Sequence, residues 1–204
     1  MENLVHITFM RHGRSRADDE EVHEGRYDSP LTDVGRQQIA RRAEQWKQEG
    51  VEFDLIVCST MVRAHESAQI IQASVGGPLE LDSDWMEIDN GPLAGLPFEE
   101  AETRYPSPDF HTPYQPHVAS VGEGESMWDL RARTVRALQK VVMKGPGQYL
   151  VVAHGAVLNE ALRSIVGAPP LVNDSGMVFR FGDGGYARLS YYAGDHSWLM
   201  KEFR

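Results

Sequence analysis

Two apolar runs far apart in this chain end on the same dipeptide. Leu4-Val5-His6-Ile7-Thr8-Phe9 leads through Met10-Arg11 into His12-Gly13, and Tyr149-Leu150-Val151-Val152-Ala153 runs directly into His154-Gly155. Short apolar runs of this kind read as buried strands. Ligands of open α/β sheets bind beyond the carboxyl ends of the strands, and a glycine there lets the backbone turn sharply or approach a ligand closely. Two strands that both end in His-Gly can set two imidazoles at one edge of one sheet. One ring can then attack while the other binds charge.

The intervening chain alternates strands and helices. Ser29-Pro30-Leu31-Thr32 leads into a helix that Thr32 can cap, with Ile39, Ala43 and Trp46 on one face and Gly50 as its stop. Asp54-Leu55-Ile56-Val57-Cys58 reads as a second strand. Ser59 and Thr60 are N-cap candidates for a helix that carries Ala64, Ala68, Ile71 and Val75 on one face. Arg63 falls in that helix's first turn, off the apolar face, where unpaired N–H groups already favour an anion. Pro78-Leu79-Glu80-Leu81 is a short third strand. Ser126 opens the longest helix with Asp129 as capping-box partner, and Leu158, Leu162 and Ile165 mark another after His154-Gly155. Met177–Phe181 and Tyr186–Tyr192 alternate about Gly182-Asp183-Gly184-Gly185, a hairpin pattern. The reading is α/β, one domain over 1–204.

Two stretches have no clear period. Arg16 to Asp28 reads as a loop whose acid run is a solvated face. From about 91 to 125, six prolines break the chain, and only Phe98 to Tyr105 suits a helix. Long irregular segments in compact domains serve as lids or binding loops, so this one is expected to cover the sheet edge.

The net charge of −10 speaks against nucleic acid or an anionic membrane as partner. No apolar run approaches the roughly 18 residues of a membrane span. Met1-Glu2-Asn3 lacks the basic start of a signal peptide, which suggests a cytoplasmic protein. The single cysteine, Cys58, excludes an internal disulfide and any Cys-rich metal site, and reads as a buried, inert thiol. The eight histidines show no His-x-x-x-His or comparable ligand spacing, so no metal is expected. Oligomeric state is not legible.

On these motifs the chain resembles the histidine phosphatase superfamily, the phosphoglycerate mutase-like family, over nearly its whole length. The likeness rests on Arg11-His12-Gly13, Pro30 to Gly35, Ser59 to Ala64, Glu87-Ile88-Asp89-Asn90-Gly91, Gly124-Glu125-Ser126 and His154-Gly155, in that order. It implies a three-layer α/β/α sandwich with a mostly parallel central sheet and a lid insertion. It also implies that His12 attacks phosphorus to form a phosphohistidine, a covalent step that splits one hard displacement into two. Arg11, Arg63 and a protonated His154 would bind the equatorial oxygens. Glu87 would act as acid and then base, with Asp84 and Asp89 near enough in sequence to compete. Ser15 and Gly155, beside the two imidazoles, are expected to contact substrate. No metal or other cofactor is implied.

Departures from the family pattern bear on substrate. Position 14, often Glu or Gln in the family, is Arg14 here. That cation either greets a second anionic group or pairs with Asp18 or Asp19. The mutases of the family carry a lysine early in the lid and an adjacent arginine pair further on, where this chain has Phe98 and Asp109-Phe110-His111. Between Gly91 and Glu125 the basic residues are Arg104, His111 and His117, and the two histidines either touch substrate or face solvent. The resemblance therefore favours a metal-independent phosphomonoesterase of a small phosphorylated metabolite. A cofactor-dependent phosphoglycerate mutase, or a non-catalytic phospholigand-binding member, are the alternatives.

Overall fold

The central strand of this fold is the first one, and its position follows from its apolar faces. The computed structural model describes residues 4–170 and 176–204; Met1-Glu2-Asn3, read above for a leader segment, lie outside them. The elements are β1 (Leu4–Arg11), α1 (Arg16–Glu20), α2 (Asp33–Gln48), β2 (Leu55–Cys58), α3 (Val62–Val75), β3 (Leu79–Leu81), α4 (Phe98–Arg104), β4 (Pro116–Val118), β5 (Glu123–Ser126), α5 (Met127–Val142), β6 (Gly147–Ala153), α6 (Gly155–Ile165), β7 (Tyr186–Tyr192) and β8 (Ser197–Phe203). Six strands form one sheet in the order β3-β2-β6-β1-β7-β8. The first four run parallel, and β7 and β8 complete the sheet in antiparallel register. This is the mostly parallel α/β sheet expected from the sequence.

Strand periodicity of two assigns the faces. Val5, Ile7 and Phe9 of β1 pack with Leu130, Leu138 and Val141 of α5 and Val157, Leu158 and Leu162 of α6. Met10 points the other way, with Ile39 and Trp46 of α2 and Ala64, Ala68 and Ile71 of α3. Helices thus cover both faces, as a parallel sheet requires. Each fully buried side chain the size of Ile71 or Leu158 contributes roughly 1.5–3 kcal/mol. Burial pushes the Cys58 thiol up to about 12, which makes it inert.

Capping follows the sequence in two helices and departs from it in a third. Thr32 Oγ1 accepts from Gly35 N at 3.0 Å to start α2, a bond worth about 1 kcal/mol. Ser126 and Asp129 form the capping box of α5. The N-cap of α3 is Met61, not Ser59 or Thr60. Ser59 Oγ does accept from Met61 N at 3.2 Å, but it also meets His154 Nε2 at 2.8 Å, so the hydroxyl belongs to the sheet edge.

Three further expectations are corrected. Residues 177–181 form no strand; the hairpin partner of β7 is β8, joined through the turn at Ala193 to His196. The alternation of Met177 to Phe181 misled because Phe181 is buried against the sheet without joining its ladder. Part of the polar loop is helical: Ser15 and Asp18 form a capping box that starts α1. Within 91–126 the chain adds the two-stranded sheet β4-β5 to the expected helix, which is α4. This segment leaves and rejoins the core at one point. Gly91 and Gly124 both have positive φ, and a Cβ on Gly124 would lie 2.7 Å from Asp89 O.

Candidate active site

Strand register places the two His-Gly motifs side by side. β1 and β6 are parallel neighbours, and Arg11 pairs with Ala153, so His12 and His154 leave the sheet together. Their ring centroids are 5.0 Å apart and neither ring is exposed. The turn after His12 is tight: a Cβ on Gly13 would meet Gly35 O at 2.6 Å, and one on Gly35 would meet Arg14 O at 2.1 Å. Glycine at both positions lets the loop lie against the start of α2.

The orientation of His12 is set by its partners. Nδ1 lies 2.7 Å from Gly13 O, which can only accept, so Nδ1 carries the proton. That leaves the Nε2 lone pair facing the pocket, where Arg63 Nε donates to it at 3.1 Å. Burial, then Arg63 and Arg11, holds the pKa of His12 well below the ordinary imidazole value. A neutral imidazole is a nucleophile once Arg63 turns that donor to an oxygen of the incoming group.

Arg63 is the most constrained cation of the group. It is fully buried, and its remaining nitrogens donate to Tyr27 O at 2.9 Å and Gly25 O at 3.0 Å. The 25–27 loop thereby fixes the guanidinium plane. Arg11, at the end of β1, donates to Phe181 O at 3.4 Å and pairs with Asp183 at 3.2 Å. His154 meets Ser59 Oγ through Nε2, while its Nδ1 is buried without a partner among the described residues. Arg11 Nε is in the same condition. Buried polar atoms normally have partners, so these two are candidates to meet a ligand. Burial first, then Arg63, His12 and Arg11, drives the pKa of His154 well below the ordinary value, so these surroundings alone disfavour the protonated ring that the resemblance implies.

Glu87 stands at the N-terminus of α6. Its carboxylate accepts from Ala156 N at 2.9 Å, Val157 N at 3.1 Å and its own neighbour Ile88 N at 2.9 Å. Gly155 lies beside it, its Cβ position 3.8 Å from Glu87 Oε2. The competing acids are engaged elsewhere, Asp84 by Lys140 at 2.9 Å and Asp89 by Arg26 at 3.3 Å. Behind Glu87 lies a residue the sequence reading missed. Arg133 of α5 is buried, donates to the carbonyls of Asp84, Met86 and Glu87, and forks onto Glu125 at 2.6 and 2.8 Å. It ties the acid-bearing loop to the end of the lid. Its one visible signal was a charged residue beside the apolar stripe of α5.

The remaining expected site residues divide. Ser15 is buried and its hydroxyl donates to Glu24. Arg14 is not brought to the site: its side chain is 39% exposed and Nε donates to Asp19 at 2.6 Å. The α1 helix, absent from the sequence reading, presents Asp19 to it. His117 lies exposed on β4. Glu24 was read as part of a solvated acid run. It instead turns inward, 3.4 Å from Arg63 Nε, 3.8 Å from His12 Nε2 and 3.9 Å from Arg11.

A family model of the histidine phosphatase superfamily (branch 1) matches residues 7–198. The chain belongs to that superfamily. Among its relatives, the uncharacterized phosphatase PhoE of Bacillus subtilis is 30% identical over 176 residues, spanning 86% of this chain and 84% of the relative. Phosphoglycerate mutase-like protein 4 of Arabidopsis thaliana is 34% identical over 192 residues, spanning 89% and 82%. The solved structure of YhfR from Bacillus stearothermophilus superposes with a TM-score of 0.82 at 26% identity, over 96% of this chain and 95% of that one. The superfamily's relatives here thus carry both phosphatase and mutase names, and the shared architecture is the phosphoglycerate mutase-like one.

Proposed function

We propose that this protein is a phosphomonoesterase that needs no metal and hydrolyses a small phosphorylated metabolite through a phosphohistidine on His12. The observation that carries this reading is His12 Nε2, left unprotonated by the Nδ1–Gly13 bond and in contact with Arg63, whose donor an incoming phosphoryl oxygen would take over. Attack by Nε2 on phosphorus requires the reacting atoms at about 3–3.5 Å in line with the leaving oxygen. Arg11 and Arg63 supply the charge that spreads over the equatorial oxygens, and His154 adds hydrogen bonding. Glu87, beside the pocket at the start of α6, would protonate the leaving alkoxide and later take a proton from water.

The lid favours water as acceptor over a second phosphoester. Arg104, its one arginine, is 52% exposed and tied to Glu100 at 2.7 Å. That leaves the 91–125 segment without a free arginine or lysine to hold a phosphorylated carboxylate through a mutase cycle. The reading predicts chelator-resistant hydrolysis of p-nitrophenyl phosphate that falls at least about a thousandfold in His12→Ala. Turnover that disappears with chelator, or survives in the variant, would sink it.

A further inference from the structure

Glu24 occupies the place where a substrate's charge has to go. Its carboxylate lies 3.8 Å from the nucleophilic nitrogen of His12 and 3.4 Å from Arg63 Nε, with Arg11 at 3.9 Å and the Ser15 hydroxyl donating to it. A phosphoryl group in line with His12 Nε2 would set its oxygens among the same four groups. Two anions in one cradle repel strongly in a pocket of low effective dielectric. The acid surplus extends further. Asp18 of α1 lies 3.8 Å from Arg11 and accepts from Ser15 N, and Asp183 pairs with Arg11 from the far side. His154 completes the ring of titratable groups, and burial with the neighbouring cations lowers its pKa.

We propose that Glu24 is a proton-controlled gate on this cradle: the pocket takes a tetrahedral dianion with Glu24 protonated, so binding takes up a proton. The protonated carboxyl then donates to a phosphate oxygen and Arg63 and Arg11 are released to the ligand. The gate rests on the phosphate-binding reading above but makes a separate statement, since it concerns affinity rather than turnover. Burial raises the pKa of Glu24, against the opposing pull of Arg63 and Ser15. The sign follows: affinity for a dianion falls as pH rises through that titration. Sequence alone gave no hint, because Glu24 sits in a run of acids that solvation explains equally well.

The test uses sulfate, a tetrahedral dianion throughout the range and one that cannot turn over. Isothermal calorimetry at about pH 6 and about pH 8, in buffers of different ionisation enthalpy, reads both affinity and proton uptake. Wild type is expected to bind at least about tenfold more weakly at the higher pH and to take up a proton there. Glu24→Gln, isosteric and able to donate, is expected to recover most of that affinity and to lose the uptake. The gate is overturned if wild type binds equally at both pH values with no uptake, a result that needs no variant. Equal pH dependence in wild type and Glu24→Gln overturns it as well, by assigning the proton to the histidines. Glu24-dependent sulfate binding without turnover of any phosphomonoester would uphold the gate and defeat the phosphatase reading alone.

Discussion

The edge of β1 and β6 and the lid that covers it are built on opposite principles. At the edge, His12, Arg63 and His154 are fully buried, and each is anchored to backbone or to a neighbouring side chain. In the lid, Phe110 and Tyr114 are 74% and 72% exposed, and Tyr114 stacks on Trp128 at 5.5 Å on the surface. The first region holds groups where charge develops and cannot afford displacement. The second presents apolar rings and histidines whose arrangement the core does not dictate. On the function proposed above, chemistry belongs to the sheet edge and discrimination among leaving groups to the lid. The Arg133–Glu125 fork joins the two, because one guanidinium grips both the backbone of Glu87 and the lid's return strand end.

The sharpest way to break this division is Arg63→Ala. The substitution removes the donor to His12 Nε2 and the clamp on the 25–27 loop together. Loss of one preorganised donor costs about 10²–10³ in kcat. With alignment of the nucleophile lost too, kcat/KM on p-nitrophenyl phosphate is expected to fall about a thousandfold. Arg63→Lys keeps the charge but not the fork and is expected to recover only part of the loss. Steady-state kinetics settle it: a drop below about tenfold would show that the edge does not carry the chemistry.

The edge was also the more legible region, and for a physical reason. Buried strands and strand-end glycines leave short-range patterns, so Leu4–Phe9, Tyr149–Ala153 and the two His-Gly turns could be read before any fold was known. The stripes of α2, α3 and α5 were readable for the same reason. Glu24, Arg14 and Arg133 were not. Whether a charged side chain faces solvent or a pocket depends on contacts with residues distant in sequence, such as Arg63 for Glu24 and Glu87 for Arg133. The β7–β8 pairing failed at the same limit, since alternation cannot say which of two flanking segments joins the ladder. In the lid, six prolines mask a small sheet that only the meeting of Pro116–Val118 with Glu123–Ser126 reveals.

A second test compares how the regions titrate. His12 and His154 are buried with pKa values well below 6.5, so the fold keeps them neutral where the unfolded chain takes up protons. Unfolded chains then bind more protons as pH falls through about 6.5, and stability falls with it. The slope is at most about 1.4 kcal/mol per pH unit for each ring. His23 acts in the same direction, and Glu24, raised by burial, acts in the opposite one. Urea unfolding between about pH 8 and about pH 5 should show full stability at the upper end and a loss below about 6.5. His12→Gln should flatten the loss. Stability that stays level or rises on acidification would mean that the edge is not the dry, cationic environment drawn above.

The smallest effect is expected in the lid. Tyr114→Ala removes one partner of the stacked pair with Trp128, an exposed contact worth about 0.5–1.5 kcal/mol. None of the hydrogen bonds described for His12, Arg63 or Glu87 involves either ring, so the chemical step on a small ester should survive. On p-nitrophenyl phosphate kcat is expected to stay within about twofold, and the unfolding midpoint to move by no more than a few degrees. On a panel of phosphorylated metabolites the substitution should instead change KM, by about three- to tenfold, and unevenly across the panel. That pattern is what a specificity surface gives: uniform binding is lost while transition-state stabilisation is kept. A fall in kcat comparable to that of Arg63→Ala would erase the division, because it would mean that the lid completes the catalytic constellation rather than selecting what reaches it.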